Sequence, residues 1–301
     1  MLARIQQATT LGALLLAGLC LLLGWRAGSF VWGLLAALLI VAGHALVLGL
    51  EFLFLRAAHG DDPVPRASAQ QLMRAWWGEV LAAPAVFCWR QPFFSQTWPD
   101  HLPSPAHVPA RRGLLLVHGF FCNRGIWNHW LERLAAQGTP MVAINLEPVF
   151  GSIDDYLQTI ENAVRQLEQN TGMAPVVVAH SMGGLALRHW WATQSATRVH
   201  YAVTLGTPHH GTWLARFAMT SNSRQMRQLS SWLQTLAARE PAAHVQRMTC
   251  FYSHCDNIVF PPSAGTIKGA NNHHLSAVAH VNMVDRPEPW QEVQRRLSDP
   301  I

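Results

Sequence analysis

The 301-residue sequence predicts an α/β fold, in which a mainly parallel sheet flanked by helices follows an apolar N-terminal segment. After about residue 113, short apolar runs typical of buried strands alternate with segments whose apolar residues recur every three or four positions. Such alternation is typical of parallel sheets with helices on both faces. The first sixty residues differ, because they contain two long apolar runs that predict a membrane anchor.

The predicted strands are continuous apolar runs, as expected for strands buried on both faces. Helical periodicity predicts helices between them, one of which begins at the capping residue Asn123. Right-handed crossovers place the loops that follow the strands at one edge of the sheet, where such folds bind ligands. The predicted strands are 113–117, 140–144, 176–179, 199–205 and 248–253, and the predicted helices are 123–137, 152–169 and 185–193.

The third strand runs into Ser181, which small residues flank on both sides. Ala179 and Gly183 stand two positions before and after the serine. This pattern is typical of a nucleophile elbow, a strained strand-to-helix turn that lifts a serine hydroxyl out of the backbone. The flanking residues must be small because the helix crosses the strand closely there. Since the same pattern also occurs in ordinary strand-turn-helix units, the rest of the chain has to support the assignment.

The first strand ends in the sequence His118-Gly119-Phe120-Phe121. Acyl transfer builds negative charge on the carbonyl oxygen, and two backbone N–H groups usually stabilise it. The N–H of Met182, directly after the serine, is one predicted donor, and the N–H of Phe120 is the other. The alternative interpretation of His118 and Gly119 is a simple turn.

A serine nucleophile needs a histidine base and a carboxylate to orient that base. In this type of fold the chain order is serine, then acid, then histidine. Asp256 directly follows the last predicted strand, so it is the predicted acid. His280 lies in an apolar segment just before the last helix and is the preferred base, whereas His273 and His274 lie in a polar stretch and compete for the role.

With these motifs, and with the segment Thr-Leu-Gly-Thr-Pro-His-His-Gly-Thr at 204–212, the chain resembles the α/β-hydrolase family. Within that family it resembles bacterial triacylglycerol lipases and related esterases, some of which also carry alanine at the position of Ala179. The resemblance extends from about residue 114 to the C-terminus. It implies a triad of Ser181, Asp256 and His280 that acts through an acyl-enzyme without a cofactor.

The segment 212–244 interrupts the alternation of strands and helices and predicts a helical cap. Its apolar residues are interspersed with arginines and serines, as in amphipathic helices. A cap at this place would shelter an acyl chain, so we predict that Trp213 and Phe217 of the cap bind the substrate together with Phe120 or Phe121 of the loop after the first strand. A mobile lid and ordinary packed helices are both consistent with the pattern.

The apolar N-terminal runs cover residues 11–25 and 30–55. A transmembrane helix needs about 20 apolar residues, so we predict two spans joined by the loop 26–29. A cleaved signal peptide is the alternative for the first run, although no small-x-small cleavage site follows it. His44 and Glu51 lie inside the second run, where a functional role and a place at the membrane surface are both consistent with the sequence.

A stem joins the anchor to the α/β-hydrolase domain. Its Trp76 and Trp77 lie in an amphipathic segment that is predicted either to lie at the lipid headgroups or to pack against the catalytic domain. The proline-rich stretch that follows predicts an extended connector. The predicted boundaries are 1–57 for the anchor, 58–112 for the stem and linker, and 113–301 for the α/β-hydrolase domain, with the cap at about 212–244.

The formal net charge of +5 comes almost entirely from arginine, since Lys268 is the only lysine. This charge suits anionic membrane lipids, and no nucleic-acid-binding module or dinucleotide motif is present. The five cysteines show no metal-ligand spacing, although Cys250 and Cys255 could pair in an oxidising compartment. Arginines near both ends of the predicted hairpin favour the cytoplasmic face of a bacterial inner membrane. A single span would instead carry the domain to the periplasm.

Three functions are consistent with these observations. The preferred one is a membrane-anchored serine carboxylic-ester hydrolase that acts on acyl lipids, with phospholipids and lysophospholipids among the candidates. An acyltransferase that uses the same triad is the first alternative. A membrane scaffold that kept the fold and lost activity is the second, against which the intact triad and oxyanion elements speak.

Overall fold

The computed structural model describes residues 1–102, 111–194 and 198–299. Its strands are β1 (Leu114–Val117), β2 (Met141–Ile144), β3 (Val176–His180), β4 (Tyr201–Leu205), β5 (Met248–Tyr252) and β6 (Asn271–His274). Its helices are α1 (Leu2–Arg26), α2 (Phe30–Ala42), α3 (His44–Ala57), α4 (Ala69–Pro84), α5 (Gln91–Phe94), α6 (Asn128–Ala136), α7 (Leu157–Thr171), α8 (Met182–Ala192), α9 (Ser221–Gln225), α10 (Ser231–Arg239), α11 (Ala242–Val245) and α12 (Pro287–Leu297).

The six strands form one sheet in the order β2-β1-β3-β4-β5-β6, and every neighbouring pair is parallel. Successive side chains of a strand face opposite sides, so β1 and β3 contribute to two cores. Leu115 and Val177 share one core with α7 and α8. Leu116 and Val178 share the other with α6 and α12. The predicted α/β fold with helices on both faces is confirmed.

Strand β6 was not expected from the sequence. Its four residues, Asn-Asn-His-His, are all exposed, and β6 is the edge strand beside β5. An edge strand whose residues all face solvent needs no apolar residue, so it leaves no hydrophobic pattern to recognise. His273 and His274, which compete with His280 in the sequence, both lie on this strand.

The apolar N-terminus forms a tight helical hairpin of α1 and α2. The two helices cross at Gly24 and Gly33, and a Cβ at Gly33 would lie 2.5 Å from the carbonyl oxygen of Cys20. Helices α2 and α3 meet at Gly43 with a bend of 52°. Within the described residues, α1 alone is long and apolar enough to cross a bilayer, or two segments if the bent pair is counted as one. The second predicted span is therefore broken.

The stem helix α4 packs against the α/β domain, the second of its two predicted placements. A capping box between Ser68 and Gln71 begins it. A small core joins Phe52 of α3 and Ala75 of α4 to Ala279 next to the predicted base. Most of the proline-rich connector, residues 103–110, lies outside the described residues.

The beginning of α1 contacts α5, which lies in the stem and joins α1 to the α/β domain. The Gln6 amide donates to Gln91 Oε1 at 2.9 Å, and both side chains are buried. Gln91 Oε1 also accepts from the N–H of Asn123, which caps the helical turn after β1. The first turn of α1 therefore reaches the domain through Gln91, whereas the end of α3 contacts the domain directly.

The predicted cap consists of a 3-10 turn, Trp213–Phe217, followed by α9, α10 and α11. A buried ion pair of 2.7 Å between Arg188 of α8 and Glu240 ties this segment to the domain. Asn222 is also buried and donates to the carbonyl oxygen of Val149. These contacts are those of helices packed onto the α/β domain.

Candidate active site

Ser181 stands at the turn between β3 and α8, at the carboxyl edge of the sheet. Its backbone has φ 55° and ψ −130°, a conformation that a residue with a side chain adopts only under strain. The Ser181 N–H donates to the carbonyl oxygen of Leu205 on β4 at 2.8 Å, which holds the turn in place. A Cβ at Gly183 would collide with the carbonyl oxygen of His118, so only glycine fits there.

Asp256 and His280 form a buried pair at the same edge. His280 Nδ1 lies 3.0 Å from each carboxylate oxygen of Asp256. Asp256 Oδ1 also accepts the N–H groups of Ile258 and Val259, which fixes the carboxylate. Because Nδ1 faces Asp256, the other ring nitrogen, Nε2, is the one left to act as a base.

The charges around His280 favour its protonated form. Burial of the ring would lower its pKa, but the hydrogen-bonded Asp256 carboxylate and, to a smaller extent, the Glu79 and Glu51 carboxylates together outweigh burial. The pKa of His280 therefore lies above its ordinary value. The adjacent His180, whose ring centroid lies 4.6 Å away, has a pKa well below the usual range because it is buried, so it stays neutral.

A cavity of about 320 Å³ opens above Ser181 and His280. In the part of the chain that is described, Ser181 Oγ and His280 form no direct hydrogen bond. Catalytic hydrogen bonds of this kind often tighten only when substrate binds. The cavity is lined by Leu48, Glu51, Glu79, Ala83, Phe87, Phe120, Cys122, His180, Ser181, Pro208, Thr212, Met226, Asn257, Ile258, Val259, His280 and Val281.

The loop after β1 brings its backbone against Ser181. A Cβ at Gly119 would lie 2.6 Å from the Cβ of Ser181, so this approach requires glycine. His118 holds the loop, since its Nε2 accepts from the N–H of Leu146 and its Nδ1 lies 2.9 Å from the carbonyl oxygen of Gly119. Burial lowers the pKa of His118 to about 4, so the ring is neutral and Nδ1 carries the proton. The sequence motif contained His118 without indicating this role.

The two predicted oxyanion donors lie on either side of the serine. Phe120 follows Gly119 in the loop, and Met182 is the first residue of α8. Neither backbone N–H finds a protein acceptor within residues 1–102, 111–194 and 198–299. Both groups are therefore free to donate to a ligand.

The structure places Phe121, Trp213 and Phe217 outside the lining of this cavity. Phe121 stacks on Phe150 at the surface. Trp213 packs against Phe54 of α3, and Phe217 is exposed beside it. The chain turns at Thr212, so Thr212 and Met226 are the residues through which the cap segment reaches the cavity. Phe120 lines the cavity.

Two carboxylates from the N-terminal helices complete the cavity. Glu51 of α3 accepts from Asn257 Nδ2 at 2.6 Å, and Glu79 of α4 accepts from the N–H groups of Val281 and Asn282. A lone acid within an apolar run was the sequence signal for Glu51, but nothing in the sequence indicated what it contacts. Among the described residues, no His, Cys, Asp or Glu group is arranged to hold a metal ion. Cys250 and Cys255 are both free thiols.

Comparisons with known proteins agree with the fold. Residues 114–297 match the model of the alpha/beta hydrolase family. A search of curated protein sequences finds no match. The fold is similar to that of a Bacillus licheniformis lipase, BlEst2 in mature form, with 18% identity, a TM-score of 0.56, and 66% of this chain and 97% of that chain covered. It is also similar to that of Aspergillus fumigatus lipase B, with 20% identity and a TM-score of 0.50. The match covers 62% of this chain and 54% of that chain.

Since the family model matches more than half of the chain, the protein belongs to the alpha/beta hydrolase family. The matched range begins at β1 and ends with α12, so it contains Ser181, Asp256 and His280. The N-terminal helices, which contribute Glu51 and Glu79, lie outside it.

Proposed function

We propose that the protein is a membrane-anchored serine carboxylic-ester hydrolase. Ser181 Oγ attacks the ester carbonyl carbon while His280 Nε2 takes its proton. The Asp256 carboxylate keeps the His280 ring in the required tautomer and stabilises its charged form. The N–H groups of Phe120 and Met182 hold the oxyanion. The observation that carries the proposal is the strained Ser181 at one cavity with the buried Asp256–His280 pair.

The reaction proceeds in two halves. As the tetrahedral intermediate collapses, His280 gives its proton to the leaving alcohol, and the acyl group remains bonded to Ser181 Oγ. A water molecule then attacks the acyl-enzyme and passes a proton to His280. The carbonyl–Oγ bond breaks, and Ser181 recovers its proton from the ring.

The lining of the cavity supports an acyl lipid as substrate. Its apolar walls include Leu48 from α3, Phe120 from the oxyanion loop and Met226 from the cap segment. No lysine or arginine is among the described residues that line it, whereas Glu51 and Glu79 both do. We therefore propose an ester whose ester-bearing part is uncharged. A phospholipid or lysophospholipid fits only if its phosphate stays outside the cavity, because no lysine or arginine among the described lining residues would pair with it and an ionised Glu51 or Glu79 would repel it.

Helices α1 to α3 support membrane anchoring. Large apolar side chains such as Leu15, Trp32 and Leu39 are exposed along them. The first turn of α1 reaches the α/β domain through Gln91 and the end of α3 contacts the domain directly, so an inserted hairpin leaves the N-terminus and the domain on one side of the bilayer. With the arginine distribution, we propose the cytoplasmic face of a bacterial inner membrane, and the periplasmic face is the alternative.

The side of the membrane on which the domain lies and the catalytic function are tested separately. A reporter active only in the cytoplasm, fused after Ile301, should give signal, and signal from an external reporter alone would reject the proposed side.

To test the catalytic function, the purified wild-type protein should hydrolyse p-nitrophenyl esters and react with a fluorophosphonate. Ser181→Ala should lose both, by about a million-fold in rate. Ser298→Ala, on the exposed end of α12, is the matched control. Labelling that persists in Ser181→Ala would remove Ser181 from the mechanism.

A further inference from the structure

The N-terminal helices hold the loop that carries His280. Glu79 of α4 is 1% exposed, and its carboxylate accepts the N–H of Val281 at 2.9 and 3.2 Å and the N–H of Asn282 at 3.0 Å. These are the two residues directly after His280. An ionisable group is buried so fully only where hydrogen bonds compensate for its lost hydration. Glu79 therefore ties the chain that follows the base to α4.

Glu51 acts on the same loop through Asn257. The buried Asn257 side chain donates from Nδ2 to Glu51 Oε2 and accepts the N–H of His280 on its Oδ1 at 3.2 Å. An amide has one donor end and one acceptor end. Because Glu51 accepts, the NH₂ end of Asn257 must face α3, and the oxygen is left to face His280. Glu51 thereby sets the orientation of the amide that holds the base.

We propose that Glu79 and Glu51 are positioning residues for His280, so that helices α3 and α4 are working parts of the active site rather than an anchor and a stem alone. The inference rests on the proposed function, in which His280 is the base. The backbone N–H groups of three consecutive residues, 280 to 282, are all fixed by these two acids, either directly or through Asn257.

The acids also act on the charge of His280. The charged and titratable groups that face its ring are Asp256 at the end of β5, Glu79 of α4, Glu51 of α3 and His180 at the end of β3. Since His180 is neutral, the charges that act on the His280 ring are those of the three acids. Burial raises the pKa of Glu79 to about 7, although the two backbone N–H groups oppose this rise. Above that pH its negative charge supports the His280 cation.

The test compares Glu79→Gln with Glu132→Gln, an exposed glutamate on α6, in the full-length protein in detergent. The His280 ring is titrated by NMR with ¹⁵N-labelled histidine, and its resonance is assigned from its absence in His280→Ala. Glutamine keeps the size and one acceptor oxygen of Glu79 and removes the charge. We expect Glu79→Gln to lower the pKa of His280 and to reduce kcat about tenfold with little change in KM. Glu132→Gln should match wild type in all three quantities.

Glu51→Leu tests the second contact, because leucine suits the apolar surroundings of α3 and removes the acceptor for Asn257. We expect kcat to fall about tenfold while fluorophosphonate labelling slows and thermal unfolding stays cooperative. Unchanged His280 titration and kcat in Glu79→Gln, together with unchanged kcat in Glu51→Leu, would overturn the inference and leave the proposed function intact. Ester hydrolysis that survives Ser181→Ala would instead overturn the proposed function, and the NMR titration would still decide whether Glu79 acts on His280.

Discussion

The α/β domain and the N-terminal helices both supply side chains to one cavity, but they do so by different routes. The domain presents Ser181, Asp256 and His280 on loops that follow or border strands. Their order along the sequence is therefore enough to predict them. The helices present Glu51 and Glu79 from the middle of long helices, and only packing brings these acids to His280. The carboxyl edge of the sheet is therefore not the whole site in this protein, since helices α3 and α4 complete it.

The largest expected effect separates the reacting groups from their neighbours. His280→Ala should lower kcat by about a million-fold because the base is lost, and Asp256→Asn by about ten-thousand-fold because the required tautomer of the base is lost. His274→Ala on β6 and Asp285→Asn, which pairs with Arg90 at the surface, are the matched controls and should be mild. The kcat for steady-state ester hydrolysis is measured for the two triad variants and the two controls. A large loss in His274→Ala with little loss in His280→Ala would reverse the assignment.

The elbow should tolerate less change than the helical hairpin. A Cβ at Gly183 meets the carbonyl oxygens of His118 and Val117, so Gly183→Ala should destabilise the fold by about 1–3 kcal/mol and also displace Ser181. Gly18→Ala on α1 is the control, because a Cβ there meets nothing within 4 Å. Chemical denaturation in detergent measures the free energy of unfolding of both variants. Equal stability of the two variants would show that the close approach at Gly183 is not a constraint.

The cavity lining predicts which residues set acyl-chain preference. Met226→Ala and Phe120→Ala should change the ratio of kcat/KM between long-chain and acetate esters by about tenfold, since both side chains face the cavity. Trp213→Ala should leave that ratio near the wild-type value, because Trp213 packs against α3 instead. A larger shift from Trp213→Ala would mean that the acyl chain runs along the cap.

The smallest expected effect is in the pH profile. A base must be neutral to accept a proton, so kcat/KM should fall as the pH drops through the pKa of His280. The Asp256 and Glu79 carboxylates raise that pKa, so the acidic limb should have its midpoint above 6.5, the usual value for histidine. Rates measured with a neutral ester from pH 5 to 9 give the midpoint. A midpoint below 6.5 would contradict the effect of the two acids.

Much of the fold was predictable because buried parallel strands leave continuous apolar runs in the sequence. The turn at Ser181 was predictable because close backbone approach restricts Ala179 and Gly183 to small residues. Strand β6 left no such pattern, since its four residues are exposed. The bend at Gly43 was hidden within an unbroken apolar run, where a single glycine does not distinguish a straight helix from a bent one.

The contacts of Glu51 and Glu79 could not be predicted from the sequence for another reason. Glu51 in an apolar run has the same local pattern whether it lies at a membrane surface or beside a buried amide. Glu79 lies in an amphipathic helix, where an acid usually faces water. Which face of α4 is buried depends on the distant residues Val281 and Asn282, about 200 positions along the chain. Only the tertiary structure brings them together.

The proposed mechanism is tested most directly by an experimental structure of the full-length protein after reaction with a long-chain alkyl phosphonate. We expect a phosphorus–Oγ bond at Ser181 and a phosphoryl oxygen within hydrogen-bond distance of the N–H groups of Phe120 and Met182. We also expect the alkyl chain in the cavity between Leu48 and Met226, with Glu79 still bound to the loop after His280. A phosphonate on another residue, or a chain that leaves the cavity without contacting α3 while Glu79 faces solvent, would contradict these expectations.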